Sequence, residues 1–323
     1  MSAQYAIKRL FYAVITIFFV IMFNYVLFRM LPGDPLTMLS RNPRITPEAL
    51  DSIRSLYGLD LPWYEQFFVY VSNLLHGDLG LSFMYRAPVT DVILSRLGPT
   101  VSLLLVSGIL AVVVGIAVGT IAAWKRGKKA DLGVMSFSLI LYSMPTFWLG
   151  MLMVVLFSVN LRLFPTGGML TPGMHYATFG LMMQDFARYF FLPCAVLVLN
   201  YIAEFAIIMR NTLTDVLSED YILTAKAKGF KDSYVLRIHA FPNAMLPVMT
   251  LAMMHLGFVV AGAIEIETIF SWPGIGRLMY EAIHARDYPL LQGIFLLTTI
   301  CVVVANFLAD LTYAYLDPRV KLR

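Results

Sequence analysis

Side chains that could do chemistry are sparse in this sequence, and they do not form a reactive set. The five histidines are dispersed, and no HExxH sequence places two of them on one helix face for zinc. Cys194 and Cys301 lie in apolar runs without disulfide or zinc spacing. No Ser/His or Cys/His pair stands out as a nucleophile, and no GxxxxGK[ST] loop is present to hold ATP phosphates. We therefore expect no catalytic residue, metal site or bound cofactor in this chain.

One carboxylate does interrupt an apolar run. Glu204 is the clearest case and lies within the stretch from Asn200 to Met209. An ionisable group inside a bilayer is costly and is therefore a candidate functional group. Asn200 and Glu204 could line a substrate path. Alternatively, Glu204 could be a structural carboxylate that is held by a neighbouring helix, protonated, or paired with Arg210 near the inner interface.

The composition indicates a membrane protein. Of the 323 residues, 59% are hydrophobic and 14% are charged, whereas a soluble domain carries about 25% charged residues. The chain cannot cover a soluble surface of its size, so much of it must face lipid. Its formal net charge of +4 is small and does not indicate nucleic-acid binding.

Six segments are long and apolar enough to cross a hydrocarbon core of about 30 Å, which needs roughly 20 residues of helix. They are approximately residues 10–30, 98–123, 132–159, 188–209, 243–264 and 289–312. We interpret the first as a retained anchor, because its apolar run is too long for a signal peptide and no small-residue cleavage site follows it. The sequence therefore predicts an all-α polytopic membrane protein with six transmembrane helices.

The lysines predict the orientation of these spans. If the N-terminus is cytoplasmic, residues 1–9, 124–131, 210–242 and 313–323 are the cytoplasmic pieces, and every lysine lies in one of them. Short cytoplasmic loops carry an excess of basic residues in membrane proteins. We therefore predict that both termini are cytoplasmic.

The spans and loops divide the chain into four predicted parts. These are an N-terminal anchor helix (1–30), a short helical extracytoplasmic segment (31–97), a five-helix core (98–313) that includes the cytoplasmic loop 210–242, and a cytoplasmic tail (314–323). At under about 70 residues the extracytoplasmic segment is too small for us to expect a second domain there.

Two further features of the spans have structural interpretations. Gly115 and Gly119 form a small-xxx-small pattern, which is typical of close helix packing, although the sequence does not identify the partner helix. Glu265 and Glu267 fall at the outer end of the fifth span, where we expect water to be near. A structural role is the favoured interpretation of Glu265.

The largest cytoplasmic loop contains the stretch DYILTAKAKGF at residues 220–230. Its Thr-Ala-Lys-Ala-Lys run has high helix propensity, and Gly229 is suited to a helix stop or tight turn. We predict a short helix and a turn on the inner membrane face. The small residues Thr224, Ala225 and Ala227 would let a partner approach closely. Composition alone also permits a solvated helix without any partner.

The spacing in this loop resembles a known family. Membrane subunits of bacterial ABC importers carry a loop of the form EAA-x3-G-x9-I-x-L-P, where a coupling helix docks on the ATPase. Here Leu223-Thr224-Ala225 occupies the EAA position, Gly229 follows after three intervening residues, and HAFP at 239–242 follows after nine more. Leu223, Thr224 and His239 depart from the family's glutamate, alanine and isoleucine. These departures resemble the peptide-importer branch, in which that glutamate is typically missing.

Other stretches are similar to the OppB/DppB-type peptide permeases along the whole chain. They are LPGDP at 31–35, YGLDLP at 57–62, GDLG at 77–80, ETIFSWPGIG at 267–276, RDYP at 286–289 and LDPR at 316–319. The resemblance implies a type I ABC-importer permease fold. It also implies two sets of site residues. The coupling loop set is Leu223, Thr224, Ala225, Lys228, Gly229, Phe230, His239 and Pro242, and the outer-loop motif is Glu267, Phe270, Trp272, Pro273 and Gly274.

The resemblance further implies a mechanism of alternating access in a heteromeric importer of the bacterial inner membrane. An extracytoplasmic binding protein would deliver di- or oligopeptides to two homologous permease subunits, and two ATPase subunits would bind ATP and Mg²⁺. The same fold could instead import nickel, glutathione or another small solute. An ATP-independent secondary transporter or a membrane-embedded enzyme are the remaining alternatives. They are disfavoured because no internal symmetry, broken-helix carboxylates or catalytic constellation are evident.

Overall fold

The computed structural model of the chain describes residues 3–30, 46–56 and 60–316. These residues form α-helices joined by turns and loops, without a β-sheet. The helices are α1 Ala3–Met30, α2 Pro47–Leu56, α3 Trp63–Leu75, α4 Val89–Trp124, α5 Lys129–Ser143, α6 Thr146–Met153, α7 Phe179–Leu217, α8 Asp220–Ala227, α9 Asp232–Tyr234, α10 Phe241–Phe258, α11 Ile264–Ile269, α12 Ile275–Ala285 and α13 Tyr288–Leu316. Two π-helical segments, Val154–Asn160 and Val235–Ala240, follow α6 and α9.

Some of the sequence motifs fall wholly or partly outside the described residues. They are LPGDP at 31–35, the first half of YGLDLP at 57–62, and LDPR at 316–319 beyond its leucine. The predicted all-α architecture is confirmed for the part of the chain that the structure describes.

Four of the described helices are long and apolar enough to cross a membrane: α1, α4, α7 and α13. The bent pair formed by α5 and α6 raises the number to five if it counts as one span. The fifth span predicted from the sequence corresponds to α10, which has 18 residues and is therefore only about 27 Å long. The total of six spans stays a prediction.

The third predicted span is broken in the middle. α5 ends at Ser143, α6 begins at Thr146, and the two helices meet at an angle of 99°. Pro145 explains the break, because its ring disfavours helical backbone at the preceding residue and it has no N–H to donate. Met144 accordingly has an extended conformation, with φ −80° and ψ 127°.

The chain divides into two compact units. The first consists of Met1–Thr100, Val260–Ile264 and Pro273–Arg323. Its core lies between the start of α4 and the helices α12 and α13, with Ile93, Leu278 and Ile294 almost fully buried. Within this unit α1 packs along α13.

A buried aspartate fixes the turn between α12 and α13 of the first unit. Asp287, part of the RDYP motif, accepts hydrogen bonds from Ser82 Oγ at 2.6 Å, the Met84 N–H at 2.9 Å and the Leu290 N–H at 3.2 Å. A buried carboxylate is stable only when such donors compensate its lost hydration. This residue of the motif therefore has a structural role that its place in the sequence did not reveal.

The second unit consists of Val101–Val259 and Glu265–Trp272. α7 is its central helix, and α5, α6 and α10 all pack against it. Gly115 and Gly119 of α4 also meet α7. A Cβ atom built on Gly119 would lie 2.5 Å from the Ala206 carbonyl oxygen, and one on Gly115 would lie 2.5 Å from the Phe205 Cβ. The predicted close packing is thus present, and α7 is the partner helix that the sequence left unidentified.

Candidate functional site

The loop between α7 and α10 contains the helix and the turn that the sequence predicts. α8 spans Asp220–Ala227. Asp220 lies in its first turn and Lys226 in its last, so each charge interacts favourably with the helix dipole. The Gly229 N–H donates to the Lys226 carbonyl at 2.9 Å. Gly229 has φ +83°, a left-handed conformation that glycine adopts without steric cost.

One face of α8 anchors it to the second unit. Ile222 and Ala225 are buried in a core that includes Phe205, Met209 and Leu213 of α7. We expected Ala225 to contact a partner protein, but it lies in the chain's own core. Thr224 and Ala227 do lie on the exposed side, as expected.

Five large side chains in α8 and in the residues that follow it are exposed. We call this set the loop surface and define it by Tyr221, Leu223, Phe230, Tyr234 and Ile238. The Leu223 side chain is 56% exposed. Contiguous exposed apolar groups are typical of a protein-binding or membrane-binding surface.

Aromatic contacts hold part of the loop surface together. The rings of Phe230 and Tyr234 have centroids 5.1 Å apart, and the His239 ring lies 5.8 Å from that of Tyr234. The exposed ion pair of Lys226 and Asp232, at 3.6 Å, adds little stability because water screens it. Gly229, Phe230 and His239, three of the predicted coupling residues, are thus brought together.

Two further predicted coupling residues, Lys228 and Pro242, lie near this cluster in the sequence. Lys228 is exposed and caps α8, and its N–H donates to the Thr224 carbonyl at 3.1 Å. Pro242 is exposed at the start of α10, directly after the π-helical segment Val235–Ala240.

The candidate substrate-path carboxylate has a partner on another helix. Glu204 Oε2 of α7 lies 3.1 Å from His255 Nε2 of α10. The rings of Tyr201 and Phe205 contact the imidazole, with centroids 4.9 and 5.3 Å from it. Asn200 lies one turn earlier and is half-buried. Sequence reasoning missed His255, although an ionisable residue in each of two predicted spans is a signal for such a pair.

The alternative pairing of Glu204 with Arg210 is wrong. Arg210 instead binds Asp131 at the start of α5, with Nε and Nη2 at 3.0 and 2.9 Å from the two carboxylate oxygens. Asp131 also accepts the Gly127 N–H at 2.9 Å. This two-pronged contact ties the 124–131 loop to α7, because a guanidinium and a carboxylate match in a planar, bidentate geometry.

The outer-loop motif residues that lie in or just after α11 are buried and have a mainly structural role. Phe270 and Trp272 are buried, and the Trp272 ring lies edge-on to the rings of Phe186 and Phe190 at 5.8 and 5.7 Å. Glu267 is fully buried, so the expectation that water lies near it is wrong; its carbonyl accepts the Trp272 N–H at 2.7 Å.

The last two motif residues, Pro273 and Gly274, precede α12 in the first unit. Gly274 is the N-cap of α12, with φ −106° and ψ −174°. Its extended backbone directs the chain into the helix, and its carbonyl accepts the Leu278 N–H at 3.0 Å.

Three hydrogen bonds between α7 and the loop that precedes it were not predicted from the sequence. Asp185 accepts hydrogen bonds from the Thr171 N–H at 2.7 Å, Thr171 Oγ1 at 2.9 Å and Tyr176 Oη at 2.5 Å. This contact with the carboxylate raises the pKa of Tyr176, because ionised tyrosine could not donate the hydrogen bond. Asp185 therefore fixes the shape of the loop at residues 161–178.

The described residues contain no group of histidine, cysteine and acidic side chains that could hold a metal ion. The geometry of the second unit instead provides a shaped apolar loop surface and a separate polar pair between α7 and α10. Such an arrangement is suited to binding and conformational coupling.

Comparison with known proteins identifies the family. Residues 115–322 match the family described as binding-protein-dependent transport system inner membrane component, and residues 2–104 match the N-terminal region of the same type of protein. The fold agrees, since a MetNI methionine ABC transporter in an inward-facing conformation has a TM-score of 0.56 over 71% of this chain and 97% of that chain, at 18% identity.

Relatives that are similar along the whole chain identify the type of permease more closely. The chain is 37% identical to the glutathione transport system permease protein GsiC of Escherichia coli O6:H1, and 35% identical to the oligopeptide transport system permease protein AppB of Bacillus subtilis. Each match covers 99% of this chain and 99% of the relative. The chain therefore belongs to the OppB/DppB-type family of ABC-importer permeases and is a membrane permease subunit, not itself an enzyme.

Proposed function

We propose that this chain is the permease subunit of an ATP-driven importer for di- or oligopeptides. The supporting observation is its similarity over 99% of its length to permeases named for an oligopeptide and for glutathione, which is itself a small peptide. A second candidate within the same fold is the import of glutathione itself, because that relative is as similar as the oligopeptide permease. Nickel or another small solute remains a further alternative. An ATP-independent secondary transporter is the least supported alternative, because the chain belongs to a family of binding-protein-dependent importers.

The proposed assembly contains four kinds of partner for this chain: a second homologous permease subunit, two ATPase subunits, an extracytoplasmic peptide-binding protein and the lipid bilayer. ATP and Mg²⁺ bind to the ATPase subunits. Both termini of this chain lie in the cytoplasm, an orientation that the lysine distribution favours. Closure of the ATPases around ATP then switches the permease pair between outward and inward access.

The loop surface is the proposed contact with the ATPase. Leu223, Phe230 and Tyr234 present an apolar patch that would lose contact with water in a groove of the partner, and Lys228 lies beside it. Ile222 and Ala225 connect the opposite face of α8 to the core around α7. A displacement of α8 by the ATPase would therefore be transmitted to α7 and to the helices packed on it.

Gly229→Val is expected to uncouple ATP hydrolysis from peptide uptake. A β-branched residue is strongly disfavoured at φ +83°, at a cost of about 1–2 kcal/mol, so the turn after α8 would change its shape. No atom lies within 4 Å of a Cβ built on Gly229, so the variant should still fold. The measurement is the number of peptides imported per ATP hydrolysed in proteoliposomes that contain the whole transporter.

Gly77→Val is the matched control. Gly77 has φ +78° and equally open surroundings, and it follows α3 in the first unit, where its N–H donates to the Leu74 carbonyl at 3.0 Å as that of Gly229 donates to the Lys226 carbonyl. We expect this variant to keep normal coupling. An assembled Gly229→Val transporter with wild-type uptake per ATP would refute the assignment of the coupling turn.

The cargo is tested with the cognate binding protein. We expect that protein to bind di- or oligopeptides in a calorimetric screen, and the reconstituted transporter to accumulate the same peptides when ATP is supplied. Binding of Ni²⁺ alone would exclude the peptide assignment. Selective binding of glutathione over other short peptides would favour the second candidate.

A further inference from the structure

The pair formed by Glu204 and His255 is incompletely shielded by its own chain. The two side chains are 32% and 27% exposed, and their contact joins the middle of α7 to α10. α7 is one of the helices that are long and apolar enough to cross the membrane. An ionisable pair is therefore held between two apolar helices with one side uncovered.

That uncovered side is unsuited to lipid. Placing a charged or hydrogen-bonding side chain against hydrocarbon costs several kcal/mol unless a polar partner or water compensates it. Asn200 extends the polar strip by one turn on the same face of α7. The strip formed by Asn200, Glu204 and His255 is thus best satisfied by a water-filled path.

The chemistry of the strip favours a cation. Nε2 of His255 contacts Oε2 of Glu204, and the structure describes no hydrogen bond for Oε1 of Glu204. The second oxygen of the Glu204 carboxylate can accept a further hydrogen bond, and a positively charged donor makes the stronger one. An ammonium group has three donors. Two of them could bind Oε1 of Glu204 and the side-chain amide oxygen of Asn200. The Tyr201 ring beside the pair can add a cation–π contribution.

We propose that Glu204 is a cation subsite on the translocation path and takes the protonated amino group of a passing substrate. His255 is a positioning residue, because its contact with Oε2 orients the carboxylate. The substrate class is a peptide or amino compound with a free amino end. This inference rests on the proposed import of peptides only for the source of that ammonium group.

The first experiment measures the charge of the path without any cargo. In the assembled transporter, Asn200→Cys is made in a background with Cys194→Ala and Cys301→Ala, and it is treated with water-soluble methanethiosulfonate reagents of either charge. We expect the ratio of the cationic to the anionic rate to be about tenfold higher than the ratio for a free thiol in solution, because the Glu204 carboxylate lies one helical turn away. Addition of Glu204→Gln should remove this preference, and Glu204→Asp, which keeps the charge, should retain it.

Two results of that experiment would overturn the proposal. If neither charged reagent reacts, the strip faces lipid or a protein contact. If the ratio of the two rates with Glu204 present equals that for a free thiol in solution, the carboxylate does not set the potential of the path. Neither outcome depends on whether the importer carries peptides, so failure here is distinguishable from failure of the proposed function.

The second experiment uses transport. A peptide with a free amino end is compared with its N-acetylated form, chosen as a pair that the wild-type transporter imports. We expect Glu204→Gln to lower uptake of the free peptide about tenfold and to leave uptake of the acetylated peptide nearly unchanged. An equal loss for both would show that Glu204 only supports the fold. His255→Asn, which can still hydrogen-bond to the carboxylate, should retain part of the discrimination.

Discussion

Gly119→Leu is expected to abolish transport, because it separates α4 from α7. A Cβ at this position would lie 2.5 Å from the Ala206 carbonyl oxygen and 2.8 Å from the Met209 Cβ. Backbone atoms cannot move aside as the end of a flexible side chain can, so the helices must part along the whole contact. The loss of folding stability should exceed the roughly 1–3 kcal/mol that is typical of overpacked cores. The measurement is the yield of assembled transporter after detergent extraction.

Gly108→Leu provides the control on the same helix. No atom lies within 4 Å of a Cβ built on Gly108, so the same added volume should be tolerated. Both substitutions also raise helix propensity by a similar amount, which isolates the effect of the contact. Normal assembly of Gly119→Leu would show that the close approach of α4 to α7 is not required.

Trp272→Ala is expected to destabilise the second unit by about 3 kcal/mol. The indole is fully buried and contacts the rings of Phe186 and Phe190, so its removal leaves a cavity that these rigid neighbours cannot fill. The turn that carries it also contacts the preceding loop, where the Gly168 N–H donates to the Phe270 carbonyl at 2.7 Å. The measurement is the thermal unfolding midpoint of the purified transporter in detergent.

Trp148→Ala tests whether any tryptophan would give this result. Trp148 lies in α6 of the same unit, and its side chain is 42% exposed. We expect the unfolding midpoint of this variant to remain close to that of the wild type. If both variants lose the same stability, the burial of Trp272 is not what stabilises the outer loop.

The sequence predicted local features of the coupling loop well. The α8 helix and the turn at Gly229 depend on propensities and on a positive φ angle, which short stretches of sequence encode. Which face of α8 is buried could not be predicted, because that depends on α7. Ala225 therefore looked equivalent to Thr224 in the sequence, although one lies in the core and the other on the surface.

Pairings between distant residues were the main omission. Glu204 with His255, Arg210 with Asp131, and Asp287 with Ser82 all join positions that are far apart in the chain. A single sequence gives no signal for such contacts unless a costly group demands a partner. Glu204 met that condition, but the choice among its possible partners required the packing of α10 against α7.

The break at Pro145 has a consequence for the order of biogenesis. α5 has 15 residues and is therefore about 22 Å long, which is shorter than the roughly 30 Å hydrocarbon core. α6 has 8 α-helical residues before its π-helical extension, so neither half is a complete span. Both halves pack against α7, which the ribosome makes later. We therefore expect α5 and α6 to reach their final positions only after α7 has been synthesised and packs against them.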